Sequence, residues 1–232
     1  MALALYVILF DIDGTLISSS VIKDVERRRY LNAIRDVVGE EPLVVPARFA
    51  GMVDPQICRI LLSEVGLTEA EVEHFLPMVL SRMGEIYVKM NKKVECNSGV
   101  RELLSILAQS PRHVVGVLTG NLSAVAAEKL AVAGIQSYFA ESFYADNYFD
   151  RTSLMKDAVQ TCVSKYQLTN RLNVMIVGDT PRDIAAANEA EATSVGIASS
   201  DYSMAQLRTA HPKSVFPSLE PTEQLLKALG LR

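Results

Sequence analysis

The sequence predicts an α/β protein in which a doubly wound parallel sheet carries an inserted α-helical domain. Three observations lead there. Four short apolar runs, Leu5–Phe10, Val114–Leu118, Val174–Val177 and Val195–Ala198, do not alternate cleanly with polar residues, as expected of strands buried on both faces. Helical segments stand between the later runs, and strand-then-helix repetition is the pattern of an α/β sheet. Residues 17–96 break that rhythm with three helical stretches and no convincing buried strand.

The elements follow in chain order. Leu5–Phe10 is the first strand. The opening run Met1–Phe10 lacks a basic leading region and stops at Asp11 and Asp13, well short of the roughly 20 residues a membrane span requires. The insert carries helices over about Val21–Val38, Pro55–Val65 and Glu69–Met90, with Pro42, Pro46 and Gly51 in the link Gly39–Val53. Beyond it come a helix over Val100–Gln109, the Val114–Leu118 strand, and an Ala-rich helix over Ser123–Ala133 with Ser123 as its N-cap and Gly134 as its C-cap. Ser153–Tyr166 and Asp183–Ala190 supply two further helices. The domains are therefore expected at 1–16 with 97–232, and at 17–96.

A chain of 232 residues buries about 70–75% of its extended surface and needs no disulfide to hold a core. Cys58, Cys96 and Cys162 show no metal or disulfide spacing, which favours a reducing, cytoplasmic compartment. A net charge of −4 argues against a general nucleic-acid or anionic-membrane binder. Apolar residues at 49% and charged residues at 22% exclude a disordered chain.

Three turns carry candidate chemistry. Asp11-Ile12-Asp13-Gly14-Thr15 follows the first strand, and strand residues two apart project to one side. Asp11 and Asp13 thus form a carboxylate pair at the carboxyl edge of the sheet, where α/β proteins bind ligands. Gly14 permits a sharp turn whose backbone N–H groups face an anion. Paired carboxylates repel unless a cation or a proton intervenes. The second acidic turn, Gly178-Asp179-Thr180-Pro181-Arg182-Asp183, also leaves a strand, although Asp183 could equally cap the next helix. Oxygen-only ligands favour Mg²⁺. Thr119-Gly120-Asn121 offers a hydroxyl, a bare amide and a side-chain amide for a phosphate, though the same residues make an ordinary turn before a helix.

In this order the turns resemble the haloacid dehalogenase-like superfamily: DxDGT, a Thr at a second strand end, a basic residue, then GDTxxD. The resemblance is to the branch containing phosphoglycolate phosphatases and β-phosphoglucomutases, with a helical cap between the first two motifs. It spans most of the chain, since Asp11 and Asp183 bracket nearly three quarters of it. It implies a Rossmann-like core and a Mg²⁺-dependent phosphomonoester phosphatase acting on a small phosphorylated metabolite. Asp11 is then the nucleophile that becomes an aspartyl phosphate. Asp13 is the acid for the leaving alkoxide and then the base for water, with its backbone carbonyl on the metal. Asp11 and Asp179 supply metal carboxylates, with Asp183 as a further or outer oxygen.

The same resemblance makes Thr119 a contact to a phosphoryl oxygen, beside Gly14, Gly120 and Asn121, which the chemistry of their turns already offers to a phosphate. The basic member is Arg151, with Lys156 the runner-up on spacing; Lys129 reads as a solvated helical charge. Asp13 also marks phosphatases and phosphomutases against dehalogenases. A phosphomutase of the β-phosphoglucomutase type is the alternative, and a non-catalytic ligand-binding relative a further one.

The sequence departs from that pattern in two places. Ile17-Ser18-Ser19-Ser20 lacks the Asp of the usual Asp-Ser pair, and Ser98-Gly99 replaces Pro-Gly, which weakens any transfer of substrate identity. Asp54, in Gly51–Gln56, reads as the cap of the helix beginning at Pro55, or as a group facing the site. Arg27-Arg28-Arg29 reads as one solvated helix face with Glu26. The aromatic residues Tyr138, Phe139, Phe143, Tyr144, Tyr148 and Phe149 read as strand and loop packing. The chain is expected to be a monomer or homodimer, with no nucleic-acid or membrane partner.

Overall fold

A sheet of six parallel strands in the order β3-β2-β1-β4-β5-β6 organises the computed structural model, which describes residues 5–43 and 46–231. Residues 1–4, where the opening apolar run begins, and Val44 and Val45, in the link between the first two helices of the insert, lie outside the described residues. The four apolar runs become β1 (Tyr6–Phe10), β2 (His113–Leu118), β4 (Val174–Gly178) and β5 (Thr193–Ile197), and occupy the middle of the sheet.

Their lack of polar alternation has a direct cause. Ile8 and Phe10 pack with Val115, Val117, Met175 and Val177 in one apolar cluster, whereas Val7 and Leu9 pack with Val174 and Ile176 in another. Alternate side chains enter cores on opposite faces, so every position must be apolar. Helices α4 (Val100–Ala108) and α5 (Ser123–Ala133) cover the first face, with Leu103, Leu104, Ala126 and Leu130. Helices α6 (Arg151–Lys165) and α7 (Pro181–Glu189) cover the second, with Leu154, Ala158, Ala186 and Ala187. The short α8 (Met204–Arg208) and α9 (Thr222–Ala228) complete the carboxyl-terminal part.

Two edge strands, β3 (Glu141–Phe143) and β6 (Ser214–Phe216), were absent from the sequence expectation. Each has three residues, and none is fully buried. Such strands have no continuous apolar run to announce them.

Between β1 and α4 lie α1 (Ser19–Val38), α2 (Asp54–Glu64) and α3 (Glu69–Lys89), with a 3₁₀ turn at Pro46–Phe49. Their core holds Ala33, Ile34, Ile57, Leu61, Val72, Val79 and Met83, and it continues onto Leu122 and Val125 of the sheet domain. The two connections to the insert run side by side: Ser18 N–H donates to Glu95 O and Asn97 N–H to Leu16 O, each at 2.9 Å. Among the described residues no helix is long and apolar enough to cross a membrane.

Two details of the helices differ from expectation. Gly134 does close α5 in the left-handed conformation at φ 64°. Ser123, however, is the first helical residue and not the cap; its N–H and hydroxyl both donate to Asp146, at 2.9 and 2.8 Å. Nor do Arg27, Arg28 and Arg29 share one solvated face. Consecutive helical residues point about 100° apart, and Arg29 shares the inward register of Ile22, Val25 and Ala33. It is buried to 2% exposure.

Candidate active site

The site forms where β1, β2 and β4 end. Asp11 is anchored at the exit of β1 by its N–H, which donates to Val177 O at 2.9 Å. The chain then turns at Gly14, whose φ of +83° and proximity to Asp179 admit no side chain: a Cβ there would lie 2.1 Å from Asp179 Oδ2. Asn97 Nδ2 fixes this turn by donating to Gly14 O and Thr15 O at 2.8 and 2.9 Å. Thr15 Oγ1 donates to Asp179 Oδ1 at 3.2 Å, and Ser200 Oγ donates to Asp179 Oδ2.

Gly178 makes a similar allowance at the end of β4. A Cβ there would sit 2.5 Å from the Asp183 Cβ. Asp183 divides its two oxygens between the roles its sequence position left open. Its Oδ2 accepts from Thr180 N–H and Oγ1 at 3.1 and 2.8 Å, closing a capping box on α7. Its Oδ1 faces Arg151 at 2.6 Å.

Asp11, Asp179 and Asp183 each place a carboxylate oxygen within 4.8 Å of the others, and all three are buried. Burial pushes Asp11 upward, and repulsion from Asp183 adds to the shift against the pull of Arg151. Asp179 is driven well above the usual carboxylate range by burial, then by Asp183 and Asp11. Such a cluster is short of positive charge, and its donor set of hard oxygens fits a divalent cation such as Mg²⁺.

Arg151 is the first residue of α6, where Asp150 caps the helix by accepting from Ser153 N–H at 2.7 Å. Its guanidinium pairs with Asp11 Oδ1 at 3.1 Å and with Asp183 Oδ1. Burial opposes its charge, but the carboxylates of Asp11 and Asp183 outweigh that and hold it protonated. Among the described residues its buried Nε has no partner, a donor left over for an anion. Lys156, the runner-up, lies on the surface beside Glu189 at 3.5 Å.

Asp13 lines the same cavity as Asp11 but in a different electrostatic setting. Its Oδ2 accepts from Lys129 Nζ at 2.6 Å and from Asn121 Nδ2 at 2.8 Å; its Oδ1 is buried and has no partner among the described residues. Its side chain stands outside the three-carboxylate group. Thr119 Oγ1 accepts from Asn121 Nδ2 at 2.8 Å, which leaves the hydroxyl proton free to donate. Both N–H groups of the Asn121 amide are therefore committed, to Asp13 and Thr119. This corrects the expectation that its side chain grips phosphate, since it braces two groups that line the cavity instead.

Lys129 is the larger correction. Far from solvated, it has 0% exposure and pairs with both Asp13 and Glu26. Its position between Val125, Ala126 and Ala133 on the inward face of α5 was the available signal.

The insert closes over this edge through residues 50–54. Asp54 N–H donates to Gly120 O at 2.7 Å, and Arg182 reaches Ala50 O. Gly51 (φ +73°) lies so close that a Cβ would meet Thr180 Oγ1 at 2.5 Å. Asp54 is not the cap of its own helix, as expected; Val53 holds that position. Asp54 Oδ2 instead accepts from Leu122 N–H at 2.9 Å, placing a carboxylate at the start of α5. Arg29 forks onto both Asp54 oxygens at 2.8 Å, and Tyr30 Oη donates to Oδ1 at 2.5 Å. Burial opposes ionisation of Asp54, yet Arg29 holds its carboxyl below the usual range. The cavity of about 160 Å³ is lined by both parts of the chain, with Ile22, Arg27, Phe49 and Met52 among its walls beside the sheet-edge groups.

The fold recurs in solved structures. A protein of Haemophilus somnus described as a phosphoglycolate phosphatase superposes with a TM-score of 0.70 at 19% identity, covering 97% of this chain and 99% of its own. A Thermotoga maritima protein assigned as a β-phosphoglucomutase gives 0.60 at 18%, covering 96% and 98%. A Clostridium acetobutylicum protein classed as a phosphatase gives 0.70 at 15%, covering 97% and 100%. No curated protein matches the sequence. The profile of the haloacid dehalogenase-like hydrolases matches residues 6–191, a span holding Asp11, Asp13, Thr119, Arg151, Asp179 and Asp183, and the chain belongs to that family.

Proposed function

We propose that the protein is a Mg²⁺-dependent phosphatase that hydrolyses a small phosphomonoester, of the phosphoglycolate type, through an aspartyl phosphate on Asp11. One observation carries this reading: Asp11 and Asp13 line one cavity in unlike settings. Asp11 lies beside Arg151 and two further carboxylates; Asp13 is held by N–H donors on one oxygen only. Two carboxylates with divergent surroundings are suited to two different tasks.

An Asp11 oxygen attacks phosphorus as the ester P–O bond breaks, and Asp13 gives its proton to the departing oxygen. Arg151 Nε and the Thr119 hydroxyl donate to phosphoryl oxygens. Water then attacks the same phosphorus, Asp13 takes a proton from it, and phosphate leaves with Asp11 restored. Asp11, Asp179 and Asp183, with the Asp13 carbonyl, would hold Mg²⁺. When bound, the ion neutralises the surplus carboxylate charge and that of the phosphoryl group. The docked insert excludes bulk water while Asp11 is attacking.

The test is phosphate release from a panel containing 2-phosphoglycolate, glycerol phosphate, glucose 1-phosphate and glucose 6-phosphate, with Asp11→Asn and EDTA controls. Release by the wild type with Mg²⁺ alone supports the reading. Near-wild-type turnover in Asp11→Asn removes Asp11 as nucleophile. Isomerisation of glucose 1-phosphate without phosphate release replaces hydrolysis by the mutase reaction.

A further inference from the structure

Lys129 has no task in the reaction just described, yet its ammonium is fully buried and meets an oxygen from each of three residues. An ammonium has three N–H donors. Here the group donates to Asp13 Oδ2 at 2.6 Å and to Asn121 Oδ1 at 2.9 Å, and it pairs with the charge of Glu26 Oε1 at 2.8 Å. The three come from three separate places, the turn after β1, helix α1 of the insert and the loop before α5. A buried lysine needs one carboxylate to be neutralised, and Glu26 alone would serve. The second carboxylate is the proton-transfer group itself.

The arrangement discriminates between the two oxygens of Asp13. Lys129 and Asn121 both converge on Oδ2, while Oδ1 is buried and has no partner among the described residues. Glu26, which holds Lys129, is itself held on Oε2 by Arg29 Nε at 2.7 Å, and Arg29 is forked onto Asp54 at the docking contact. A continuous chain of polar contacts thus runs from the contact between insert and sheet domain to the carboxylate of Asp13.

We propose that Lys129 is a positioning residue for Asp13. It pins Oδ2 and so fixes the orientation in which the Asp13 carboxyl meets the leaving oxygen, and Glu26 of the insert keeps it in place. This rests on the assignment of Asp13 as the proton donor. Lys129 touches neither substrate nor metal ligand side chains of the three-carboxylate group, and it acts only through Asp13.

The leaving group separates this role from a merely structural one. An alkoxide needs a proton to depart; 4-nitrophenolate does not. The quantity to compare is kcat/KM, which covers only steps through departure of the leaving group. For Lys129→Met, kcat/KM on the best alkyl ester of the panel above should fall about 10²-fold, and on 4-nitrophenyl phosphate by less than about threefold. With the aryl ester a burst of one 4-nitrophenol per site should precede slow turnover. Glu26→Gln, which leaves Lys129 present but less firmly held, should give the same selectivity at about tenfold.

Equal losses on both substrates, or none on either, overturn the proposal. A wild type that releases no phosphate from any ester overturns the phosphatase reading instead. The crystal structure of Lys129→Met, or of Glu26→Gln if the first does not fold, then decides separately. A rotated Asp13 carboxylate supports the positioning role, and an unmoved one ends it.

Discussion

Two buried clusters of charge meet at the carboxyl edge of the sheet, and they are balanced in opposite ways. In one, Asp11, Asp179 and Asp183 face one cation among the described residues, Arg151, and Asp11 and Asp179 are pushed upward. In the other, Arg29 and Lys129 are matched by Asp54 and Glu26, and Asp54 is pulled downward by Arg29 against its burial. Burial is the same; the partners differ. A buried cluster that satisfies itself holds a structure together, whereas one left with surplus charge is waiting for something to bind.

The contrast gives the two clusters opposite pH responses. A carboxyl whose folded value is depressed adds stability above its unfolded value of about 3.9, and loses it as pH falls through the lower folded value. That is Asp54. A carboxyl whose folded value is raised is protonated more readily in the folded state. Its contribution is present at low pH and is lost as pH rises from about 3.9 through the raised value. Those are Asp11 and Asp179.

The largest effect on stability should come from breaking the self-satisfied cluster. Asp54→Ala takes from the buried Arg29 guanidinium the carboxylate onto which it forks, leaving Glu26 to balance its charge, and takes an acceptor from Leu122 N–H. Breaking a buried pair in this way costs about 3–5 kcal/mol, which for a chain of this size lowers Tm on the order of 10 °C. Calorimetry at pH 7 measures it. Replacing both partners, as Arg29→Met with Asp54→Leu, should recover most of the loss; a double variant as unstable as Asp54→Ala would show that the docking contacts, and not the charges, dominate.

How much of this was legible in the sequence follows the same division. The surplus-charge site could be read because each of its turns sits directly after an apolar strand: Asp11 after β1, Thr119 after β2, Asp179 after β4. Sheet topology gathers strand exits, so local sequence was enough to place them together. The self-satisfied cluster could not be read that way. Lys129 meets Asp13 across 116 residues, and Arg29 meets Asp54 across 25, on elements whose mutual packing no local pattern specifies. What the sequence did carry was register: Arg29 and Lys129 stand where their helices turn apolar residues inward. A charge in an inward register is a statement that its partner exists, without saying where. The missed strands β3 and β6 show the complementary limit, since half-buried three-residue edges leave almost no apolar signal.

The next effect has the reverse sign. Without divalent cation, Asp179→Asn removes one of the crowded carboxylates, and should raise stability at pH 7 by about 1–2 kcal/mol while abolishing turnover. The gain should vanish near pH 4, where the wild-type group is protonated in the folded state. Adding Mg²⁺ should stabilise the wild type and not the variant. A metal-free Asp179→Asn that melts below the wild type at pH 7 would mean that the carboxylate cluster is not short of positive charge after all.

A smaller loss is expected where the insert's loop meets the sheet domain. Gly51→Ala must hold φ near +73° and place a Cβ against Thr180 Oγ1 and Arg182. A cost of about 1–2 kcal/mol follows from the backbone conformation alone, with more if the loop lifts. Because the same loop walls the cavity, KM should rise while the Asp11-dependent step is retained. An Ala variant with wild-type stability and KM would show that the loop is not docked on Thr180 in solution.

The smallest effect tests whether burial, and not ion pairing as such, gives the charges their weight. Lys23 of α1 reaches Asp201 of the sheet domain at 2.7 Å, so this pair also spans the two parts of the chain. Its side chains are 48% and 50% exposed, against 2% and 3% for Arg29 and Asp54. Water solvates both groups whether or not they meet, and the long lysine side chain loses freedom when they do, so Lys23→Ala should cost less than about 1 kcal/mol. What little remains should disappear in 1 M salt, where the Debye length falls to about 3 Å, whereas the penalty of Asp54→Ala should persist there. A Lys23→Ala variant as damaged as Asp54→Ala, with a penalty insensitive to salt, would place the coupling of insert to sheet at the surface latch, and the buried cluster would lose its claim to hold the two together.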